Sequence, residues 1–483
     1  MDALDAFLDG NAQALAETPG ETVVLSARDC VSMAVAHNPK AASAQADREA
    51  AEARIGQANA MRKPQLKGSM TFTHTELNQP DFNQLVGGMG GLGGSFMQGG
   101  PFPGGGLAPW NRVAAFTQQL LTSQLSGGIN FAPKDDFRTD KITLTQVFYA
   151  GGRISAAVKA SKFLAESQAW QEQAALSQLE YEAKRAFYDV VAAASLVRVA
   201  RNSVASYERN VRDTGLMLQE GAISPFEDLR SRTELGIRQS NLVEAENAHL
   251  LAQANLKRVV GLPQDSQVEP RLELDWSPAF PSVTELTQEA LANRPEILAL
   301  QKGVEAAEQE VRRAKGQFKP QVAGSVQYQN VDGGGYAQPD GLTFSVGAEL
   351  DIYAGGRRKH EVLEKQAQLR SVQAELQSVE DASKLNVNQA VIQVRDAIAR
   401  YKSDKANVTL ATEGLRLAQL RYTEGVGTQA ETLDAELALT AAENALVLSL
   451  RDYAVANAEL DRATGRRWIK DGEAPESENS AEE

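Results

Sequence analysis

The chain has 483 residues, a net charge of −14 and one cysteine, Cys30. The acidic balance argues against a nucleic-acid partner, and a lone thiol excludes both a disulfide framework and a thiolate metal site. No apolar run reaches the ~18–20 residues of a membrane-spanning helix. Met1 to Asp5 lacks the basic and apolar regions of a signal peptide, so an exported chain would have lost its signal.

In chain order, residues 1–25 form an N-terminal segment. A helix is expected from about Ser26 to Arg62, broken at Asn38-Pro39 and stopped by Pro64. Cys30 sits in this pattern as a small packed residue. A strand follows, with Leu66, Gly68, Met70 and Phe72 on one face and Lys67, Ser69, Thr71 and Thr73 on the other. Residues of about 78–135 are glycine-rich and are expected to be a long mobile loop. No Gly-Lys-Ser/Thr closes that stretch, so it is no phosphate cradle. A second strand sets Ile142, Leu144 and Phe148 against Lys141, Thr143 and Thr145.

No proline occurs from Lys134 to Ser224. Leu179, Ala183, Ala186, Val190, Ala193, Val197, Ala200, Val204, Tyr207 and Val211 step by four and three, a sustained heptad seam. A helix from Gly152 to Gly221 would be roughly 100 Å long at ~1.5 Å per residue. The turn Glu220-Gly221-Ala222-Ile223-Ser224 ends it. Ser224 then reads as an N-cap with Glu227 as its capping-box partner.

The second half repeats this order. Asn38-Pro39 and Lys63-Pro64 recur 256 residues later as Arg294-Pro295 and Lys319-Pro320. Tyr149-Ala150-Gly151-Gly152-Arg153 recurs 204 residues later as Tyr353-Ala354-Gly355-Gly356-Arg357. The difference, 52 residues, is an insertion in the first copy. Two copies of one module are therefore expected: 26–281 and 282–468, intertwined as one domain, with 469–483 as an acidic disordered tail. In the second copy a helix runs from about Ser282 to Gln317. Strands then place Val322, Gly324, Val326 and Tyr328, and next Leu342 through Ile352 at alternate positions, on apolar faces. Val394, Tyr401, Val408, Leu415 and Tyr422 recur every seven residues. The second turn is Glu424-Gly425-Val426-Gly427-Thr428, with Thr428 and Glu431 read as a second capping box. Alternation suits a small sheet on a soluble core, but strands of ~9–12 residues also suit a tilted membrane barrel.

Strand, Tyr-Ala-Gly-Gly-Arg, long helix, glycine turn and Glu431-Thr432-Leu433-Asp434-Ala435, in that order, resemble the TolC-like outer-membrane efflux family. Leu25 through Asn38-Pro39 resembles that family's start, and the resemblance covers about Leu25 to Gly465. It implies a mixed α and β membrane protein. Three chains would give four strands each to one 12-stranded β-barrel, continued by an α-helical tunnel in the periplasm. It implies a passive outer-membrane exit duct for drug efflux or type I protein secretion. The partners implied are a periplasmic adaptor (membrane fusion) protein docked at the glycine turns, an inner-membrane transporter of RND or ABC type, and outer-membrane lipid. A soluble coiled-coil scaffold or tether is the competing reading.

Neither an enzyme nor a cofactor is expected. His37, His74, His249 and His360 lack ligand spacing, and no Gly-x-Ser-x-Gly nucleophile motif occurs. In the resembling family, acids at the positions of Glu431 and Asp434 line the tunnel entrance, where six carboxylates would favour cations. A capping Glu and a solvated Asp read equally well here. Tyr422 matches a gate position or simply packs. Some relatives carry a basic gate residue where this chain has Gly427. Gly151, Gly152, Gly355 and Gly356 should turn each strand into its helix. Arg153 and Arg357 would contact headgroups or pair at the helix ends.

Overall fold

The computed structural model describes residues 23–74, 136–221, 223–266, 268–270, 282–333 and 340–467. The elements in chain order are β1 (Val23–Leu25), α1 (Ala27–His37), α2 (Pro39–Ala60), β2 (Gln65–His74), β3 (Asp136–Ala150), α3 (Arg153–Gln219), α4 (Pro225–Val260) and β4 (Val268–Pro270). Then follow α5 (Val283–Asn293), α6 (Pro295–Lys315), β5 (Gln321–Gly333), β6 (Gly341–Glu349), α7 (Arg357–Thr423) and α8 (Gln429–Thr464). The glycine-rich stretch, most of the N-terminal segment and the acidic tail lie outside the described residues. α3 and α7 both have 67 residues, and α4 and α8 both have 36.

The chain divides into two compact units, one formed by 1–53, 161–307 and 368–483, the other by 54–160 and 308–367. The first is helical. Ser26 caps α1 in a capping box with Asp29, and Ser282 caps α5 with Glu285. Each short helix stops where Pro39 or Pro295 restricts the residue before it. Asn38 and Arg294 fill those breaks, both buried. Asn38 Nδ2 donates to the Val259 carbonyl at 2.7 Å, and Arg294 Nη1 donates to Ser383 Oγ at 3.2 Å.

Two apolar clusters result. Cys30, Val31, Leu179, Phe187, Val190, Leu256 and Val260 form one; Leu286, Val387, Val391, Val394, Tyr453 and Leu460 form the other. Burial pushes the Cys30 thiol up to about 12, so it is inert packing. The α3 seam is real: Leu179, Ala183, Ala186, Val190, Val197, Val204 and Tyr207 are buried. The parallel pair β1–β4 was not expected. Three residues are too few to show a period.

The second unit holds a four-stranded antiparallel sheet, ordered β2-β3-β5-β6. Its register sorts side chains into rows. Leu66, Leu144, Val326 and Phe344 align across the four strands, and Gly68, Ile142, Tyr328 and Leu342 form the next row on the same face. Lys67, Thr143, Gln327 and Thr343 align on the opposite face. Ser325 and Ser345 hydroxyls meet there at 2.7 Å. β3 bulges at Phe148, whose ring covers Gly324; a Cβ on Gly324 would lie 2.8 Å from it.

Among the described residues the apolar face packs on no core, unlike a small sheet on a soluble core: Leu66, Phe72, Phe344 and Val346 are more than 70% exposed. One expectation needs correction. The last strand ends at Glu349 rather than Ile352, because its partner β5 starts at Gln321, opposite Glu349. Leu350 and Ile352 have no ladder to join.

Gly151 and Gly152 both have positive φ, as do Gly355 and Gly356. Gly151 carries a second constraint, because a Cβ would strike the Gly316 carbonyl oxygen and come within 2.8 Å of Lys319 Cβ. Gly355, at nearly the same φ (58° against 61°), has open space around it. Both alanine substitutions carry a left-handed penalty of about 1–2 kcal/mol. Gly151→Ala should therefore lower the unfolding midpoint clearly more than Gly355→Ala. Equal midpoints in thermal melts would remove the close approach as the reason for glycine.

Candidate functional site

The two helix turns are built differently. At the first, Gly221 (φ +71°) donates to the Leu218 carbonyl at 3.0 Å. Ser224 caps α4, and its backbone N–H donates to Glu227 Oε2 at 3.0 Å. Pro225 takes the first helical position, where no N–H is needed. Ala222 lies outside the described residues, and Glu220 and Gly221 are exposed.

At the second turn, Gly425 (φ +73°) reverses the chain. The Val426 and Gly427 N–H groups both donate to the Arg421 carbonyl, at 3.0 and 2.9 Å. Gly427 lies so close that a Cβ would stand 2.9 Å from Arg421 Cβ. Thr428 Oγ1 accepts the Glu431 N–H at 3.2 Å. Only half of the expected capping box forms, since the Glu431 carboxylate lies 3.4 Å from Arg421 Nη2 instead. Asp434 is exposed one turn on and makes no ion pair among the described residues.

Behind the turns the helices are cross-linked. Tyr422 is half-buried, with its hydroxyl 3.4 Å from Met217 Sδ. Burial, then Glu227 and Asp213, raises its pKa. Gln429 Nε2 donates to Asn210 Oδ1 at 3.2 Å, and Thr214 and Ser231 hydroxyls meet at 3.0 Å. Tyr207, 1% exposed, donates to the Leu433 carbonyl at 3.4 Å and carries the Arg238 guanidinium over its ring at 5.1 Å. Glu436 is buried in the same layer. Burial pushes its carboxyl up to about 7, against the opposing pull of Arg209 and Arg238.

Residues that sequence reasoning passed over stand out on the first tip. Phe226 and Leu229 are 71% and 62% exposed, three apart on α4. An apolar pair just inside an N-cap was the available signal. At the strand-to-helix turns, Arg153 donates to the Ala150 carbonyl and to Gln321, while Arg357 lies 3.6 Å from Asp351 and 3.7 Å from Glu361. Among the described residues no cluster of His, Cys, Asp and Glu could hold a metal, and no helix is long and apolar enough to cross a membrane.

A four-stranded antiparallel sheet joined to 67-residue helices is a fold shared with solved outer-membrane proteins. The outer membrane protein VceC of Vibrio cholerae superposes with a TM-score of 0.70 at 17% identity, covering 91% of this chain and 96% of that one. The CmeC outer membrane channel of Campylobacter jejuni gives 0.71 at 16% identity, covering 91% and 85%. In sequence, residues 286–466 match the outer membrane efflux protein family. The outer membrane efflux protein BepC of Brucella suis biovar 1 is 26% identical over 375 residues, 73% of this chain and 79% of the relative. These matches make the chain similar in sequence to outer membrane efflux proteins, most clearly over residues 286–466.

The buried carboxyl gives a pH test. A folded-state pKa above the unfolded value means the folded protein holds its proton longer. Stability therefore falls as pH rises from the ordinary Glu range to about 7. Glu436→Gln should raise the unfolding midpoint at pH 8 and change it little at pH 4. A lower midpoint at pH 8 would show the charged form to be stabilised by Arg209 and Arg238.

Proposed function

We propose that three copies of this chain form an outer-membrane exit duct, the terminal channel of a tripartite efflux system. One observation carries the reading: the sheet presents aligned apolar rows on one face, polar rows on the other, and, among the described residues, two unpaired edges. Lipid outside and water inside would satisfy both faces. Strand β6, Gly341–Glu349, extends roughly 26 Å at ~3.3 Å per residue. Leu350 and Ile352 continue the apolar alternation past its end, a reach comparable to an apolar band roughly 25 Å tall.

Closure follows from the strand count. β2 and β6 run in opposite directions because the sheet has four antiparallel strands. The β6 edge of one copy can therefore continue the antiparallel ladder on the β2 edge of the next, and three copies close a twelve-stranded ring. Leu350 to Ile352 then gain the ladder partner they lack within one chain. The equal lengths of α3 and α7, and of α4 and α8, support two equivalent modules per chain surrounding a helical tunnel in the periplasm.

In this reading the duct is passive and performs no chemistry. An inner-membrane transporter supplies the energy, and a periplasmic adaptor docks at the glycine turns. Exposed Phe226, Leu229 and Val426 offer that adaptor an apolar grip. Glu431 and Asp434, exposed on one face of α8, would bring six carboxylates to the entrance. The Arg421 contact favours a second, structural role for Glu431.

Two measurements test this. The purified protein should need detergent and behave as a trimer; a monodisperse monomer in plain buffer would end the proposal. In single-channel recordings, multivalent cations should block wild type, and Glu431→Gln with Asp434→Asn should lose that block and some cation preference. Unchanged block and selectivity in the double variant would leave both residues as ordinary helix-surface charges.

A further inference from the structure

Resting on the membrane reading above, we infer that the helix ends beside the sheet form a basic girdle that binds the phosphate headgroups of anionic phospholipids. The charge distribution carries it. Residues 54–63, 153–160, 308–319 and 350–367 hold thirteen Lys and Arg against five Asp and Glu. These segments are net +8 in a chain of net −14.

All four segments belong to the sheet-bearing unit, and each adjoins the same end of the sheet. The first and third lead into β2 and β5, and the second and fourth leave β3 and β6. Contacts tie them together: Gln146 donates to the Arg62 carbonyl at 3.0 Å, Arg153 donates to Gln321, and Arg358 donates to the Gln317 carbonyl at 3.3 Å. The repeated Lys63-Pro64 and Lys319-Pro320 place a lysine just before each entering strand. Arg62, Lys63, Lys315 and Lys319 are exposed and make no ion pair among the described residues.

The girdle is continuous with the apolar band. Ile352 is 93% exposed and Tyr353 87%, with Phe318 and Tyr149 also exposed at that end. Aromatic residues at the edge of an apolar band mark the membrane–water boundary. Unpaired cations just beyond it lie at headgroup depth, where long side chains keep their stems in the apolar layer. Basic residues gathered at a membrane surface select anionic over zwitterionic headgroups. The helices belong to the periplasmic side in the proposed duct, so the ligand is a phospholipid of the inward-facing leaflet rather than lipopolysaccharide.

The test uses the full chain in mixed micelles with equal amounts of phosphatidylglycerol and phosphatidylcholine of matched acyl chains. Lipid retained by the protein is read by native mass spectrometry. Wild type should retain phosphatidylglycerol at least about fivefold over phosphatidylcholine. The variant Arg62→Gln, Lys63→Gln, Lys315→Gln, Lys319→Gln should bring the ratio to about one with the oligomer mass unchanged. The pair Lys63→Gln and Lys319→Gln gives the same reading at smaller amplitude if the fourfold variant does not assemble. Equal retention by wild type, or undiminished preference in the variants, overturns the girdle. Loss of preference to millimolar inorganic phosphate would make it a free-phosphate site, and lipopolysaccharide outcompeting phosphatidylglycerol would refute the leaflet; either result overturns the assignment. A protein soluble without detergent would instead sink the membrane reading itself.

Discussion

A sheet placed in hydrocarbon cannot keep an open edge, and in the proposed duct this constraint governs the rest of the molecule. Each unpaired backbone N–H or C=O in lipid costs several kcal/mol. Among the described residues the sheet has two such edges, on β2 and β6, and an apolar face that nothing covers. In the proposed duct a head-to-tail ring of three chains satisfies both edges without new secondary structure, because β2 and β6 run in opposite directions. The bulge at Phe148 belongs to the same economy. It increases local twist where the sheet must curve, and the ring fills the space above Gly324.

The helical part obeys a different rule. An amphipathic helix needs one packed seam, and α3 supplies it with Leu179, Val190, Val204 and Tyr207, relieved by alanines that admit close neighbours. At Pro39 and Pro295 the chain breaks leave buried polar groups to satisfy. Asn38 and Arg294 meet that demand with different chemistry at equivalent places, one reaching a carbonyl and the other a serine hydroxyl. Each break is thus satisfied by a different polar side chain.

Much of this was legible in the residues because it rests on period and punctuation. The heptad of α3, the breaks at Pro39 and Pro295, and the glycine doublets are local signals with local causes. The alternation of Leu342, Phe344 and Val346 was equally plain, but alternation shows only that two faces differ. A soluble core and a membrane barrel both fit that pattern, and the structure leaves the face exposed among the described residues. What distinguishes lipid from a protein core is the partner, which lies outside the chain. The end of β6 was misjudged for a related reason: Leu350 and Ile352 continue the pattern, while pairing stops where β5 starts. The Phe226–Leu229 pair on the first tip was missed because two apolar residues on a helix look like core until their exposure is known.

The two tips show why equal motifs did not give equal sites. Ser-x-x-Glu and Thr-x-x-Glu both spell a capping box, and both helices start where expected. At the first tip Glu227 turns back to the Ser224 N–H, so its carboxylate is consumed by the cap. At the second, two glycines let the chain fold onto Arg421, whose carbonyl takes the N–H groups of Val426 and Gly427. That fold brings the Arg421 side chain within 3.4 Å of Glu431 and draws the carboxylate off the backbone. Gly427 cannot bear a basic side chain here without displacing Arg421, so the cation at this tip comes from Arg421 itself. Glu431 is thereby held at the surface beside a cation, one turn from exposed Asp434, whereas Glu227 is bound into its helix end. The two tips thus differ in exposed charge through backbone geometry at Gly425 and Gly427.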